Sequence, residues 1–443
     1  MQWVTNQYLP FRLWDAAINP STTRPRVSDR LGDSFVNWIL KHYPELKFIS
    51  SVLNDSVASL VQDLCQKNPV LWVVVDGLGW LDHQELLRRL TQNNKLSLET
   101  DIQPRISILP TKTEYAKWSL YTQLPPSHPT WVPDAGKGFP MMGTGKRYTD
   151  RDYKKGTLHR DLKGNAYQLY CWDTDKFDHL YHTEQDWENL YQVQRPHVLE
   201  GIARDIEYCV NQHPNPERLK IVIASDHGQM IGEVERLSNC PEGLDPKGRM
   251  AIGKTDDPRF VVLEAERYGL PHDLSIVRGA ACLNAFSYTE KKEIIGSHGG
   301  LFPEEVVVGV SVLRPFTARL AVQVTCQGEG DSGQSGELTL AIDNLNTVPL
   351  TQLCLYINEL TNLKTGYPLD IKVPAGQQVL VQVPISNYPE LPPNHEGKQL
   401  ALTGELQFQF ADIEAGTASL YPESQLTVKQ LFSSGLDIDD FLS

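Results

Sequence analysis

Apolar residues follow two patterns along this chain. Up to about residue 313 they form short unbroken runs, separated by stretches where they recur every three or four positions. The clearest runs are Leu71-Trp72-Val73-Val74-Val75 and Ile221-Val222-Ile223-Ala224. A short, β-branched, uninterrupted run reads as a strand buried on both faces. Arg105 to Pro110, Tyr167 to Trp172 and Glu305 to Leu313 read as further strands, and Phe260 to Leu263 as an edge strand. Helical spacing marks residues 34–43, 52–67, 83–92, 117–120 and 197–212, while 236–258 reads as loop. Strands alternating with helices predict an α/β domain on a doubly wound, mostly parallel sheet.

From Arg314 onward the pattern changes. Val322 to Thr325, Glu337 to Ile342, Leu353 to Ile357, Gln378 to Val383 and Glu405 to Phe410 are short strand-like segments between turns rich in Gly, Asn and Pro. That spacing predicts a C-terminal antiparallel β-sandwich domain. The expected organisation is a helical segment over 1–66 packed on the core, the α/β domain over 67–315, and the sandwich over 316–443. The tail Leu436 to Leu442 alternates acidic and apolar residues. It reads as a solvated end, with a docking peptide as the other reading.

Composition narrows the function classes. The chain has 443 residues, 40% of them hydrophobic and 22% charged, as in an ordinary globular protein. A net charge of −14 argues against a dedicated duplex-DNA binder. It leaves nucleic acid open as a substrate, because bound divalent ions offset local negative charge. The cysteines at 65, 171, 209, 240, 282, 326 and 354 form no Cys-x-x-Cys pair, so neither a zinc ribbon nor a disulfide framework is expected. Met1 to Asn6 lacks a basic-then-apolar leader pattern, and no run is long enough to span a membrane. A cytoplasmic location is the expectation.

Candidate chemistry sits where the predicted strands end. Asp76 follows the first run and precedes Gly77. Asp226-His227-Gly228 follows the run at 220–225. Asp175 and His179 follow strand 167–172, and His298 lies between Ser297 and two glycines. Ligands in open α/β sheets bind at the carboxyl ends of strands. Carboxylate and imidazole donors together suit Zn²⁺, Mn²⁺ or a similar ion. Six such residues can fill two neighbouring sites with positions left for substrate, and two metals about 4 Å apart can hold the attacking and leaving oxygens of a phosphoryl transfer. Thr113, after strand 105–110, is a candidate nucleophile, since metal coordination favours its alkoxide. Two alternatives stay open: Asp178 and His182 share the spacing of Asp175 and His179, and Thr111 also carries a hydroxyl. Met142 to Arg147 has too few correctly spaced glycines for a phosphate loop.

Asp76-Gly77, Pro110-Thr111-Lys112-Thr113, Asp175 with His179, Ser225-Asp226-His227-Gly228 and Ser297-His298-Gly299-Gly300 fall in the order found in the alkaline phosphatase superfamily, which this chain resembles over about 70–313. Leu109 to Thr113 is similar to the nucleophile segment of nucleotide pyrophosphatase/phosphodiesterases. Ser297 to Val308 resembles the PglZ family, which occurs in bacterial phage-defence loci and in some signalling proteins. The resemblance implies an alkaline phosphatase-like fold with two divalent ions, Zn²⁺ in the first instance and Mn²⁺ as the alternative. Asp175, His179 and His298 would hold one. Asp76, Asp226, His227 and the Thr113 hydroxyl would hold the other. Thr113 would attack phosphorus to give a phosphothreonine that water then hydrolyses, with Lys112 a lesser candidate for contacting substrate.

The leading function is therefore a two-metal phosphohydrolase, a phosphodiesterase on nucleotides or oligonucleotides, with defence partners held by the C-terminal domain and no membrane partner. One alternative is a catalytically weak nucleotide- or metal-binding interaction module of a defence complex. Another is a phosphomonoesterase or mutase on the same metals.

Overall fold

The computed structural model describes the chain apart from residues 20–24, 47–50, 93–94, 143–144, 185, 238–239, 284, 288–291, 295–296, 317–318, 347, 393–394, 411–414 and 431–443. The acidic tail and Gly143-Thr144 of the glycine-containing loop lie outside the described residues. The chain forms two compact units, Met1–Phe316 and Thr317–Ser443.

The first unit opens with three helices, α1 (Leu9–Ile18), α2 (Val27–Leu46) and α3 (Ser56–Cys65). Then come β1 (Val70–Val75), α4 (Trp80–Thr91), β2 (Leu96–Leu98), β3 (Gln103–Ile106) and α5 (Thr113–Thr122). After these follow β4 (Lys146–Thr149), β5 (Leu169–Thr174), α6 (Lys176–Thr183), α7 (Arg195–Gln212), β6 (Lys220–Ala224) and β7 (Val307–Pro315). The sheet runs β2-β7-β6-β1-β5-β4, and β3 also pairs with β7. The neighbours β4, β5, β1 and β6 are parallel, whereas β7 is antiparallel to β6.

Strand β1 lies at the centre because both of its faces are apolar. Leu71, Val73 and Val75 pack with Leu86 and Leu90 of α4 and Leu199, Ile202 and Ile206 of α7. Val70, Trp72 and Val74 pack on the other face with Val57 and Val61 of α3 and with Leu120 and Tyr121 of α5. Helices on both faces make the sheet doubly wound. All six β1 side chains are buried, and each large aliphatic one contributes roughly 1.5–3 kcal/mol as an upper estimate.

Helices α1 and α2 pack on the loop before β7 through an apolar cluster that includes Leu9, Phe35, Ile39, Leu301 and Phe302. An ionic clamp reinforces this. Tyr8 Oη donates to Glu304 Oε2 at 2.9 Å and Arg12 Nε to Glu304 Oε1 at 2.8 Å, while Arg12 also pairs with Asp29. Arg249 Nε donates to Glu305 Oε1 at 2.9 Å, and that same oxygen accepts from the backbone N–H of Gly300 at 2.8 Å. The clamp fixes the segment that carries His298.

Several boundaries differ from the sequence expectation. Strand β3 ends at Ile106, and Ser107 to Pro110 is not strand but a link to α5. Strand β5 runs to Thr174, two residues past Trp172. The region 236–258 contains three-residue strands, too short to show a period of two. Asp245–Lys247 and Met250–Ile252 join a four-stranded sheet with Leu274–Val277 and, at its edge, Phe260–Leu263. Among the described residues no helix is long and apolar enough to cross a membrane.

The second unit contains a five-stranded and a four-stranded sheet. Strand Gly336–Asn344 alternates buried with part-exposed residues along its length. The core joins Val324, Leu338, Leu340 and Ile342 of one sheet to Leu355, Ile357, Leu406 and Phe408 of the other, the inner-face packing of a sandwich.

Candidate metal centre

The carboxyl ends of β1, β5 and β6 converge with the N-terminus of α5 and with the 297–302 loop. Asp76 continues β1, its backbone N–H bonded to Thr174 O at 2.9 Å. Gly77 has φ +73°, and a Cβ there would stand 2.1 Å from Gln229 Nε2, so the turn requires glycine. The turn after β6 is laced to it. The Gly77 N–H donates to Asp226 Oδ1 at 3.2 Å and the Leu78 N–H to Ser225 Oγ at 2.9 Å. Ser107 Oγ and Asn54 Nδ2 both donate to the Asp226 carbonyl, at 2.6 and 2.8 Å.

Thr113 opens α5 beside these turns. Its Oγ1 lies 3.4 Å from Asp76 Oδ1 and 3.2 Å from His227 Nε2. His227 Nε2 is 3.4 Å from Asp76 Oδ1 and 3.6 Å from Asp226 Oδ2. His227 Nε2 thus lies within 3.2–3.6 Å of the Thr113 hydroxyl and of one oxygen each of Asp76 and Asp226. Bonds of about 2.0–2.1 Å in a tetrahedral zinc site place ligand atoms about 3.3 Å apart, close to these separations. Asp226 Oδ2 is buried with no hydrogen-bond partner, an arrangement that is costly unless a cation takes it up.

A second cage adjoins the first. Asp178, His182 and His298 present ligand atoms within 4.8 Å of one another, as do Asp76, Asp178 and His227. Asp178 Oδ2 is 3.2 Å from His182 Nε2, and Asp178 Oδ1 is 3.4 Å from His298 Nε2. The rings of His227 and His298 stack with centroids 4.0 Å apart. Each of these rings places Nδ1 on a carbonyl, His298 on Thr111 at 2.8 Å and His227 on Gly228 at 3.0 Å. A carbonyl only accepts, so both Nδ1 atoms carry the proton and both Nε2 lone pairs face the cages. Gln229 Nε2 donates to Asp178 Oδ1 at 2.6 Å, and Gln229 Oε1 accepts from Ser297 Oγ at 2.7 Å.

Electrostatics fit a cation site. Burial and the nearby Asp226 carboxylate push the Asp76 carboxyl well above its ordinary range, against the pull of Lys117. Burial also pushes Asp178 up, but the His182 imidazole outweighs it and holds that carboxyl well below the ordinary range. Burial, with His227 next to it, holds His298 well below the usual imidazole value, in the neutral form that ligates metals. The donor set and the orphaned Asp226 oxygen suit divalent ions.

The structure brings together Asp76, Thr113, Asp226, His227 and His298. Asp175 and His179 are not part of the cluster. Asp175 occupies the N-cap position of α6 without a side-chain capping bond and is exposed, with its N–H 3.3 Å from Asp150 Oδ2, and His179, one turn on, is also exposed. Asp178 and His182 stand on the helix face toward His298 instead. Thr111 is committed to packing, since its Oγ1 donates to Gly300 O at 2.9 Å and accepts from the Gly299 N–H at 3.0 Å. Lys112 is half-buried at the N-cap of α5, near Gly299.

Sequence reasoning missed Lys117. It is buried one helical turn after Thr113, and its Nζ donates to Asp76 Oδ2 at 2.5 Å and to Asp173 Oδ1 at 3.0 Å. Asp173 Oδ2 accepts from Tyr121 Oη at 2.9 Å and from Arg147 Nε at 2.8 Å. The available signal was a lysine at i+4 from the candidate nucleophile, on the same helix face.

No known protein-family model matches the chain, and neither does any curated protein. Among solved structures, murine ectonucleotide pyrophosphatase/phosphodiesterase 5 is similar at a TM-score of 0.41 and 12% identity over 55% of this chain and 87% of that one. An inactive variant of the murine protein in complex with AMP gives 0.40 and 12% over the same shares. The human protein gives 0.41 and 11%, again over 55% and 87%. At such values the site stands on its own geometry.

Proposed function

We propose that the Met1–Phe316 unit is a two-metal phosphoric ester hydrolase, a phosphodiesterase acting on nucleotides or oligonucleotides with Thr113 as nucleophile. The observation that carries this reading is one hydroxyl, Thr113 Oγ1, at 3.2–3.4 Å from both a carboxylate and an imidazole of a buried donor cage, with a second donor cage adjoining it. Asp76, Asp226, His227 and Thr113 would hold one ion, and Asp178, His182 and His298 the other. Zn²⁺ is the first candidate and Mn²⁺ the second. Bound ions would supply positive charge that favours the alkoxide of Thr113 and offsets charge on the phosphoryl oxygens.

The chain's own groups do the rest. Thr113 sits at the N-terminus of the ten-residue helix α5, where the helix dipole favours an anion. Attack of its oxygen on phosphorus forms the Thr–O–P bond, breaks the P–O bond to the departing alcohol and releases the hydroxyl proton. That proton leaves with the departing alcohol, and water later cleaves the Thr–O–P bond of the covalent threonine diester, restoring the hydroxyl and releasing a phosphate monoester. Lys112, at the mouth of the site, can contact the phosphoryl oxygens. The net charge of −14 favours short or single-stranded substrates over long duplex. A role in phage defence, with partners on the second unit, is the part of the proposal supported by the PglZ-like Ser297 to Val308 motif alone.

The test uses purified protein with Zn²⁺ or Mn²⁺, assayed on bis-p-nitrophenyl phosphate beside p-nitrophenyl phosphate. The expected result is diester turnover that falls by about 10⁴-fold or more in Thr113→Ala. Preferred turnover of the monoester would make it a phosphomonoesterase. No turnover of either substrate by metal-loaded protein would make it a binding module.

A further inference from the structure

We infer that Lys117 is a resident cation of the Thr113 cage, and that its charge makes this cage the weaker of two unequal metal sites. The inference rests on the metal reading proposed above and adds an order of occupancy to it.

Thr113 and Lys117 are four residues apart on α5, so the helix presents both side chains to the same turn of β1. One oxygen of Asp76 faces Thr113 and the other holds the ammonium at 2.5 Å. Asp226 Oδ2, the orphaned oxygen of the same cage, is 4.0 Å from Nζ. Asp173 lies behind the lysine at 3.0 Å. Asp173 is itself fixed by Arg147 and Tyr121, so the ammonium is held from the rear and cannot swing out through them. Lys117 is buried, as are Asp76, Asp173 and Asp226. The three carboxylates therefore already share a fixed positive charge, supplemented by Arg147. A divalent ion entering between Asp76, Asp226 and His227 meets that charge one carboxylate away, with little water to screen it.

The Asp178 cage is built otherwise. Its carboxylate is oriented by the neutral amide of Gln229, and His298 by a backbone carbonyl. Lys112 also acts on His298, but it is half-exposed and water weakens its effect. The Asp178 cage thus has one carboxylate and two imidazoles with no buried cation behind them among the described residues, whereas the Thr113 cage has two carboxylates whose charge Lys117 already offsets.

Equilibrium dialysis against Co²⁺ with elemental analysis, together with the visible absorption of bound Co²⁺, reads each ion separately. Wild-type protein is expected to take one ion tightly and a second at least about a hundredfold more weakly. Asp178→Asn should remove the tight step and Asp76→Asn the weak one. Lys117→Met should bring the second affinity to within about tenfold of the first. Lys117→Gln keeps a donor for Asp76 and should behave like Lys117→Met, because charge and not hydrogen bonding sets the effect. Two equal steps in the wild type overturn the inference even where a lysine variant fails to fold. A second step that is unchanged or weaker in both variants overturns it too, and leaves Lys117 merely orienting Asp76. Binding of no ion at all sinks the metal reading itself.

Discussion

In the first unit Arg12, Asp29, Asp76, Asp82, Lys117, Asp173, Arg195, Asp226, Arg249, Glu304 and Glu305 are all buried. Between the sheets of the second unit the buried polar residues, among those described, are Asn344, Asn346 and Ser424, none charged. Buried ion pairs are often no better for stability than well-packed apolar residues, yet breaking one is expensive. The sandwich interior is what packing alone favours. The α/β interior carries a burden of charge, concentrated at the carboxyl ends of its strands and in the clamp on the His298 loop. The clamp charges are paired with one another, whereas the strand-end carboxylates line the donor cages on which the proposed function rests.

The sharpest way to break this contrast is Asp76→Ala. It removes the carboxylate shared by Thr113, His227 and Lys117. Diester turnover should fall by about 10³-fold or more, one ion should be lost, and the sandwich should unfold at its wild-type temperature. Full activity in this variant would mean the cage is misread. Glu304→Ala comes next. It leaves the buried Arg12 and Tyr8 without their shared acceptor, and should cost about 3–5 kcal/mol. Calorimetry should show the first transition lowered and the second in place. Equal lowering of both would mean that the two units do not unfold separately.

The sheet was legible in the sequence because its central strands are two-sided, and an unbroken run such as Leu71 to Val75 has few other readings. The sandwich was legible through alternation, as in Glu337 to Ile342. Asp76, Thr113, Asp226, His227 and His298 were legible because each follows a strand end or sits beside glycines. What failed was helix phase. Asp175/His179 and Asp178/His182 have one spacing, and their faces lie only about 60° apart around α6. The difference rests on β5 ending at Thr174 and not Trp172, so that Asp175 takes the N-cap position and Asp178 turns inward. Lys117 and Asp173 were hidden for another reason. Each is bound to partners far along the chain, and no local pattern separates a buried lysine from a solvated one.

Acid separates the interiors further. Burial holds the His83 imidazole down to about 3, with Nε2 at 2.8 Å from Ser311 Oγ. The folded value lies below the unfolded one of about 6.5. Its contribution to stability is therefore full above pH 6.5 and is lost as pH falls toward 3, by about 3 kcal/mol at pH 4. His83→Gln should flatten the fall of the first transition over that range. The shifted groups described in the sandwich are Cys326, Tyr356 and Tyr388, all raised, so they add no acid dependence. A first transition that falls equally in wild type and variant would remove His83 from the account.

The smallest effect probes the neutral interior. Asn344 Nδ2 donates to Val348 O at 2.9 Å and to Pro374 O at 3.1 Å, and its Oδ1 accepts from the Asn346 N–H at 3.1 Å. Asn344→Ala leaves these backbone groups unpaired inside the sandwich, which should cost about 1–3 kcal/mol. Only the second transition should move, and turnover should stay at wild-type level. The cost should fall below that of Glu304→Ala, because a lost neutral hydrogen bond strands a dipole, whereas loss of Glu304 leaves a buried guanidinium with one carboxylate in place of two. If Asn344→Ala proved the more damaging of the two, buried charge would not be what distinguishes these interiors, and the strand-end carboxylates would lose their standing as a mark of function.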